Sequence, residues 1–176
     1  SMLMFVLGTL MVVQPSVAQL DGARQKLKAA SQTRQALWIA VALAFPFFGV
    51  CYFSQPLLEA FGIDPVIVPV AATYLRAMAW GAPGLCLVLL LRFFSEGTGH
   101  TRPTMLYGVL GALLNIPLNY VLMFGKLGLP ALGTVGCGIA TSIVIWLQFL
   151  MLFAYIRTHR HYESFELMAH LERPHW

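Results

Sequence analysis

Charged residues divide the sequence into long apolar runs. Ser1 to Leu20 has no charge, Gln35 to Leu58 has none over 24 residues, Pro103 to Gly125 none over 23, and Leu127 to Ile156 none over 30. Between Pro65 and Leu91 the only charge is Arg76. A helix that crosses a bilayer needs about 20 mostly apolar residues. Four runs reach that length outright. The fifth reaches it with Arg76 near an interface, where its long stem can snorkel. The pattern predicts five spans, at 2–20, 36–57, 72–94, 104–125 and 133–156.

Composition excludes the alternative of buried helices in a soluble protein. Of the 176 residues, 59% are hydrophobic and only 10% charged. A soluble domain carries about 25% charged residues, so no polar layer remains here to surround five apolar helices. Cys51, Cys86 and Cys137 sit far apart in apolar runs and form no disulfide framework or CxxC pair. The fold class is therefore all-α, a polytopic membrane helix bundle. The first run ends Ser16-Val17-Ala18-Gln19, as a secretory signal can. No positive charge precedes it, and signal h-regions span only about 7–15 residues, so it reads as a true span.

Basic residues set the orientation. Arg24, Lys26, Lys28 and Arg34 lie in the 21–34 connection, Arg92 and Arg102 in 92–102, and Arg157, Arg160 and Arg173 in the tail. These are nine of the eleven basic residues, and alternate connections hold them. The positive-inside rule makes loops 21–34 and 92–102 and the tail cytoplasmic. The net charge of +4 is thus a topology signal, and no basic patch interleaved with aromatics points to nucleic acid. Five spans with a cytoplasmic C-terminus place the N-terminus outside, which implies one further span upstream.

Polar and helix-breaking residues mark candidate chemistry. Asn115 and Asn119 are four apart and share a helix face. Pro117 between them lacks an N–H and frees the Leu113 carbonyl. Oxygen-bearing groups gathered in a membrane suit a hard cation, while Asn side chains also glue helices together. Both readings stand. Gly133, Gly136 and Gly138 permit close helix approach, with Gly108 and Gly111 as a second such place. Thr141 and Ser142 add hydroxyls, which ordinarily bond back to a carbonyl one turn earlier. Pro83, flanked by Gly81 and Gly84, predicts a kink or hinge. The turn Ser95–Pro103 is glycine-rich but lacks a Gly-Lys-Ser/Thr, so it is a tight connection and not a phosphate loop. His159 and His161 in the tail have no Cys or carboxylate pair to complete a metal site. No catalytic constellation lies within a span, so an enzyme is not expected.

Several stretches carry a family resemblance. The run from Asn115-Ile-Pro-Leu-Asn-Tyr120 to Gly136-Cys-Gly-Ile-Ala-Thr141 resembles the multidrug and toxic-compound extrusion (MATE) family, in its NorM-like branch. So do Tyr74-Leu-Arg-Ala-Met-Ala-Trp-Gly-Ala-Pro-Gly84, Val17–Arg24 and Ser95–Pro103. The resemblance implies a twelve-span transporter of two six-helix lobes that exports cationic drugs in antiport with sodium ions or protons, without a cofactor. Residues 1–157 would be part of the N-terminal lobe, and 158–176 a basic tail or inter-lobe linker. The resemblance further implies a cation site at Asn115, Asn119 and Thr141, with a carbonyl at Cys137. The coupling carboxylate would lie on the family's first span, which is absent here. The implied partners are the lipid bilayer, cationic small molecules, and the missing first span and C-terminal lobe, in a bacterial inner membrane. A fragment alone would not transport. A flippase of lipid-linked substrates and a non-transporting scaffold are the competing classes.

Overall fold

A computed structural model describes residues 2–126, 130–159 and 162. Most of the tail 158–176, including Arg160 and His161, therefore lies outside the described residues. All the regular structure is helical among the described residues: α1 Met2–Met11, α2 Val13–Gly22, α3 Lys26–Tyr52, α4 Ser54–Ala60, α5 Val68–Ala79, α6 Ala82–Gly97, α7 Thr101–Phe124 and α8 Gly133–Thr158. Four stretches are long and apolar enough to cross a membrane: Leu3–Gly22, α3, α7 and α8. The pair α5–α6 makes a fifth if its two halves, bent by 53°, count as one span.

The helices depart from the charge-free runs at two places. α3 starts at Lys26, ten residues before the expected span at 36, so Lys26, Lys28 and Arg34 ride on its first turns and not in a loop. It ends at Tyr52, and Ser54–Ala60 forms the separate short helix α4. Charge marks where a helix leaves hydrocarbon, not where its backbone bonds end. The expected span at 72–94 is two helices broken at Trp80-Gly81, with Pro83 in the first turn of α6. There its missing N–H costs nothing.

α6 is the core helix. Cys86, Leu89, Leu90, Phe93 and Phe94 are buried along it. α3 meets the core with small side chains at helical spacing, Ala29, Thr33, Ala36, Ala40 and Ala44, all buried. Against this, Phe5, Phe45, Met105 and Ile116 are between 63% and 72% exposed. Small residues on the inner face of α3 and large apolar ones outside suit a bundle whose solvent is lipid, where close backbone approach drives association. A close backbone approach between α2 and α6 is at Gly97. A Cβ there would stand 2.8 Å from the Gln14 carbonyl oxygen and 2.9 Å from Val17 Cβ.

Beyond α8, Tyr162 folds back under the α6–α7 turn. Its hydroxyl lies 2.6 Å from Ser95 Oγ, which donates to the His100 carbonyl at 2.8 Å. Burial pushes the Tyr162 phenol above its ordinary range, and its hydrogen bonds to Ser95 and Thr98 pull the other way.

Candidate cation site between α7 and α8

α7 and α8 form the most extensive helix pair, and their register follows from two glycines. Gly136 of α8 lies against the backbone of Leu122, where a Cβ would come within 2.6 Å of the carbonyl oxygen. Gly111 of α7 lies against the Gln148 side chain. Gln148 Nε2 also donates to the Tyr107 carbonyl at 3.3 Å. The helices are therefore antiparallel. Positions 111, 115, 119 and 122 form one stripe of α7, and 137, 141 and 148 one stripe of α8. The Gln148 contact turns the 137, 141 and 148 stripe toward α7 at that end, and the Gly136 contact fixes the level of the two helices at the other.

The sequence-expected residues fall on those stripes. Asn119 Nδ2 donates to Asn115 Oδ1 at 2.6 Å. Thr141 Oγ1 donates to the Cys137 carbonyl at 2.9 Å. Both hydrogen bonds stay within their own helix, so the structure joins each pair and sets the two pairs at matching levels without bonding one to the other. All four residues are half-buried. Asn119 Oδ1 is wholly buried and has no hydrogen-bond partner among the described residues. An orphaned amide oxygen in a low-dielectric setting costs about 1–3 kcal/mol.

These atoms are hard donors: two amide oxygens, a hydroxyl and a carbonyl. Because Thr141 spends its proton on Cys137, its oxygen lone pairs remain for another partner. None of the four groups titrates near neutral pH. No group of three or more His, Cys, Asp or Glu side chains is placed to hold a metal among the described residues.

The neighbouring glycines differ from expectation in part. Gly138 packs against α5, where a Cβ would stand 2.9 Å from the Tyr74 carbonyl oxygen and from Ala77 Cβ. Gly133 does not permit close helix approach: among the described residues nothing lies within 4 Å, and its φ of +54° shows that it is there for the left-handed backbone that opens α8. Gly108 likewise faces open space, and the second close contact belongs to Gly111 alone. Pro117 does not break α7, which runs unbroken from Thr101 to Phe124.

Three polar links escaped the sequence. Ser142 Oγ reaches the Ala77 carbonyl at 3.1 Å as well as Gly138 one turn back. Trp146 Nε1 donates to the Trp80 carbonyl at 2.9 Å. Arg76 donates to the Tyr52 carbonyl at 3.3 Å and to Gln55 Oε1 at 3.2 Å. Each joins residues more than 20 positions apart, so local pattern carries no signal for them. Only the freed carbonyls around the Gly81–Pro83 break could have hinted at the first two.

Residues 1–121 match the family model MatE. The chain belongs to the MatE family. The multidrug resistance protein MdtK of Yersinia enterocolitica serotype O:8 is 39% identical over 175 residues, covering 99% of this chain and 38% of that protein. MdtK of Yersinia pestis (strain Pestoides F) is 38% identical with the same coverage. The chain thus spans 38% of the length of the curated relatives it matches. Among solved structures, an inward-facing conformation of a multidrug resistance MATE family transporter of the MOP superfamily superposes with a TM-score of 0.79 at 25% identity. That match covers 88% of this chain and 35% of the other. MatE membership sets the chain with membrane transporters and not with enzymes.

Proposed function

We propose that this chain is part of the N-terminal lobe of a multidrug exporter, and that Asn115, Asn119, Thr141 and the Cys137 carbonyl contribute a cation site to it. The observation that carries the site is the buried, unpartnered Asn119 Oδ1. In this reading its stripe of α7 lies across from the one holding Thr141 Oγ1 and Cys137 O, an arrangement that the antiparallel register of α7 and α8 supports. A helix-glue role would spend that oxygen on a neighbouring helix, and it is not so spent. Hard neutral oxygens favour a sodium ion over a proton here. A carboxylate elsewhere in the intact transporter would supply the charge. The antiport reading rests on family membership and on relatives described as multidrug resistance proteins.

The basic connections lie on the cytoplasmic side of a bacterial inner membrane in this reading. The α4–α5 and α7–α8 connections face outward, and the bilayer, cationic drugs and the remaining transporter helices are the partners. Residues 1–157 act as a lobe segment and 158–176 as a linker, and the segment alone does not transport. Ethidium efflux from cells tests the proposal, using the intact transporter and its Asn115→Ala/Asn119→Ala variant at matched membrane levels. Loss of efflux is expected. Unchanged efflux overturns the site, and no efflux from the unmodified transporter overturns the exporter.

A further inference from the structure

A groove of about 660 Å³ runs along the outer face of α3, α5 and α8, on the far side of α8 from the asparagine pair. Its walls are almost wholly apolar, with Trp80, Trp146, Ile139, Ile143, Leu147 and Leu150 prominent. Arg76 sits on its rim. That arginine is exposed, and its hydrogen-bond partners are a carbonyl and an amide, both neutral. No carboxylate pairs with it among the described residues. A cation in a membrane-spanning unit calls for a counter-charge, and this one still has unspent N–H donors after its two bonds. Arg76 bonds to Tyr52 at the end of α3 and Gln55 at the start of α4, and it lies at the level where Gly138 packs on Tyr74 and Ala77. From Ile139 at that level to Leu150 at the far end of the groove, α8 rises about 16 Å. One leaflet of a hydrocarbon core is about 15 Å deep.

We propose that this groove binds one membrane phospholipid, with the phosphodiester on Arg76 and an acyl chain along α8. Guanidinium and phosphate form a charge-assisted pair that a neutral lipid cannot offer. The Trp146 bond to the Trp80 carbonyl fixes one indole as a wall of the acyl channel. The lipid supplies what the fold lacks at Arg76, and the groove length selects a single leaflet's chain.

Tryptophan quenching tests this. The 176-residue chain, with Trp38→Phe and Trp176→Phe so that emission comes from Trp80 and Trp146, is held in a neutral detergent. It is titrated with brominated phosphatidylglycerol or with diacylglycerol carrying the same brominated chains. Phosphatidylglycerol should half-quench at about tenfold lower mole fraction. Arg76→Gln should abolish that preference, and Arg76→Lys should keep most of it. Helix content by circular dichroism accompanies each variant, and if Arg76→Gln does not fold, the two-lipid comparison and Arg76→Lys decide. Equal quenching by both lipids overturns the proposal, as does a preference that survives Arg76→Gln. Absence of quenching by either lipid also overturns it.

Discussion

The α5–α6 segment and α7 both pack on α8 and both carry an intramembrane proline, yet one bends by 53° and the other runs straight for 24 residues. The difference lies in the neighbour. At the α5–α6 break, α8 supplies donors to the freed backbone: Ser142 Oγ to the Ala77 carbonyl and Trp146 Nε1 to the Trp80 carbonyl. Gly81 lets α8 come close enough to do so, with Ser142 Oγ only 3.0 Å from where its Cβ would be. Around Pro117 no side chain of α8 donates to the α7 backbone among the described residues. α7 therefore gives up one backbone bond and keeps its course. A proline breaks a membrane helix where another helix replaces the lost hydrogen bonds, because bare carbonyls are costly in lipid.

Six substitutions sharpen that contrast. The largest effect is expected for Gly136→Val on the straight side and Gly138→Val on the bent side, since both new side chains meet backbone below 3.0 Å. Each should cost about 3 kcal/mol by overpacking, read as a lower midpoint of thermal unfolding in detergent. Gly108→Ala, with nothing within 4 Å, should instead be neutral or stabilise by up to about 1 kcal/mol. Trp146→Phe keeps the ring but leaves the Trp80 carbonyl bare and should cost about 1–2 kcal/mol. A spin-label distance across α5–α6 should broaden in that variant while one across α7 stays fixed. Pro117→Ala restores the Leu113 bond and should gain about 1 kcal/mol, whereas Pro83→Ala at the helix start should change stability by less than about 0.5 kcal/mol. Equal gains at both positions would show that neither carbonyl environment matters.

A separate, modest effect belongs to the Tyr162 clasp at the α6–α7 turn. Tyr162→Phe should cost about 1 kcal/mol. The sign of its pH dependence follows from the raised phenol. The neutral form is favoured in the folded state, so the contribution is complete below the ordinary value of 10.0 and lost as pH rises through the higher folded one. The variant's deficit in unfolding midpoint should thus shrink only in strongly alkaline buffer.

Helix positions were legible in the sequence because hydrocarbon tolerates so few charges, and the break was legible because Pro83 stands between two glycines. The site's first half was also legible: a spacing of four put Asn115 and Asn119 on one face, and the Thr141 bond to Cys137 follows from the same spacing. What the sequence could not carry was register. Gly108 and Gly111 are three residues apart and read alike, yet only Gly111 meets α8, because the antiparallel pairing with Gln148 selects one of them. Gly133 read as a packing glycine because spacing does not reveal a positive φ. The basic stretch after Gln25 read as loop because charge reports exposure, and an exposed helix start looks the same. Arg76 gave its presence but not its partners, which lie 21 and 24 positions away.

The central claim is that the two stripes of α7 and α8 hold a cation. The direct test is thermal unfolding of the intact transporter in sodium and in choline buffers, with and without Asn115→Ala/Asn119→Ala. The account predicts that sodium raises the midpoint of the unmodified protein by a few degrees through binding linkage. It also predicts that the double variant loses this increment while its midpoint in choline is little changed. An increment that survives the double variant would contradict the site. A midpoint that falls equally in both buffers would show that the asparagines only hold helices together.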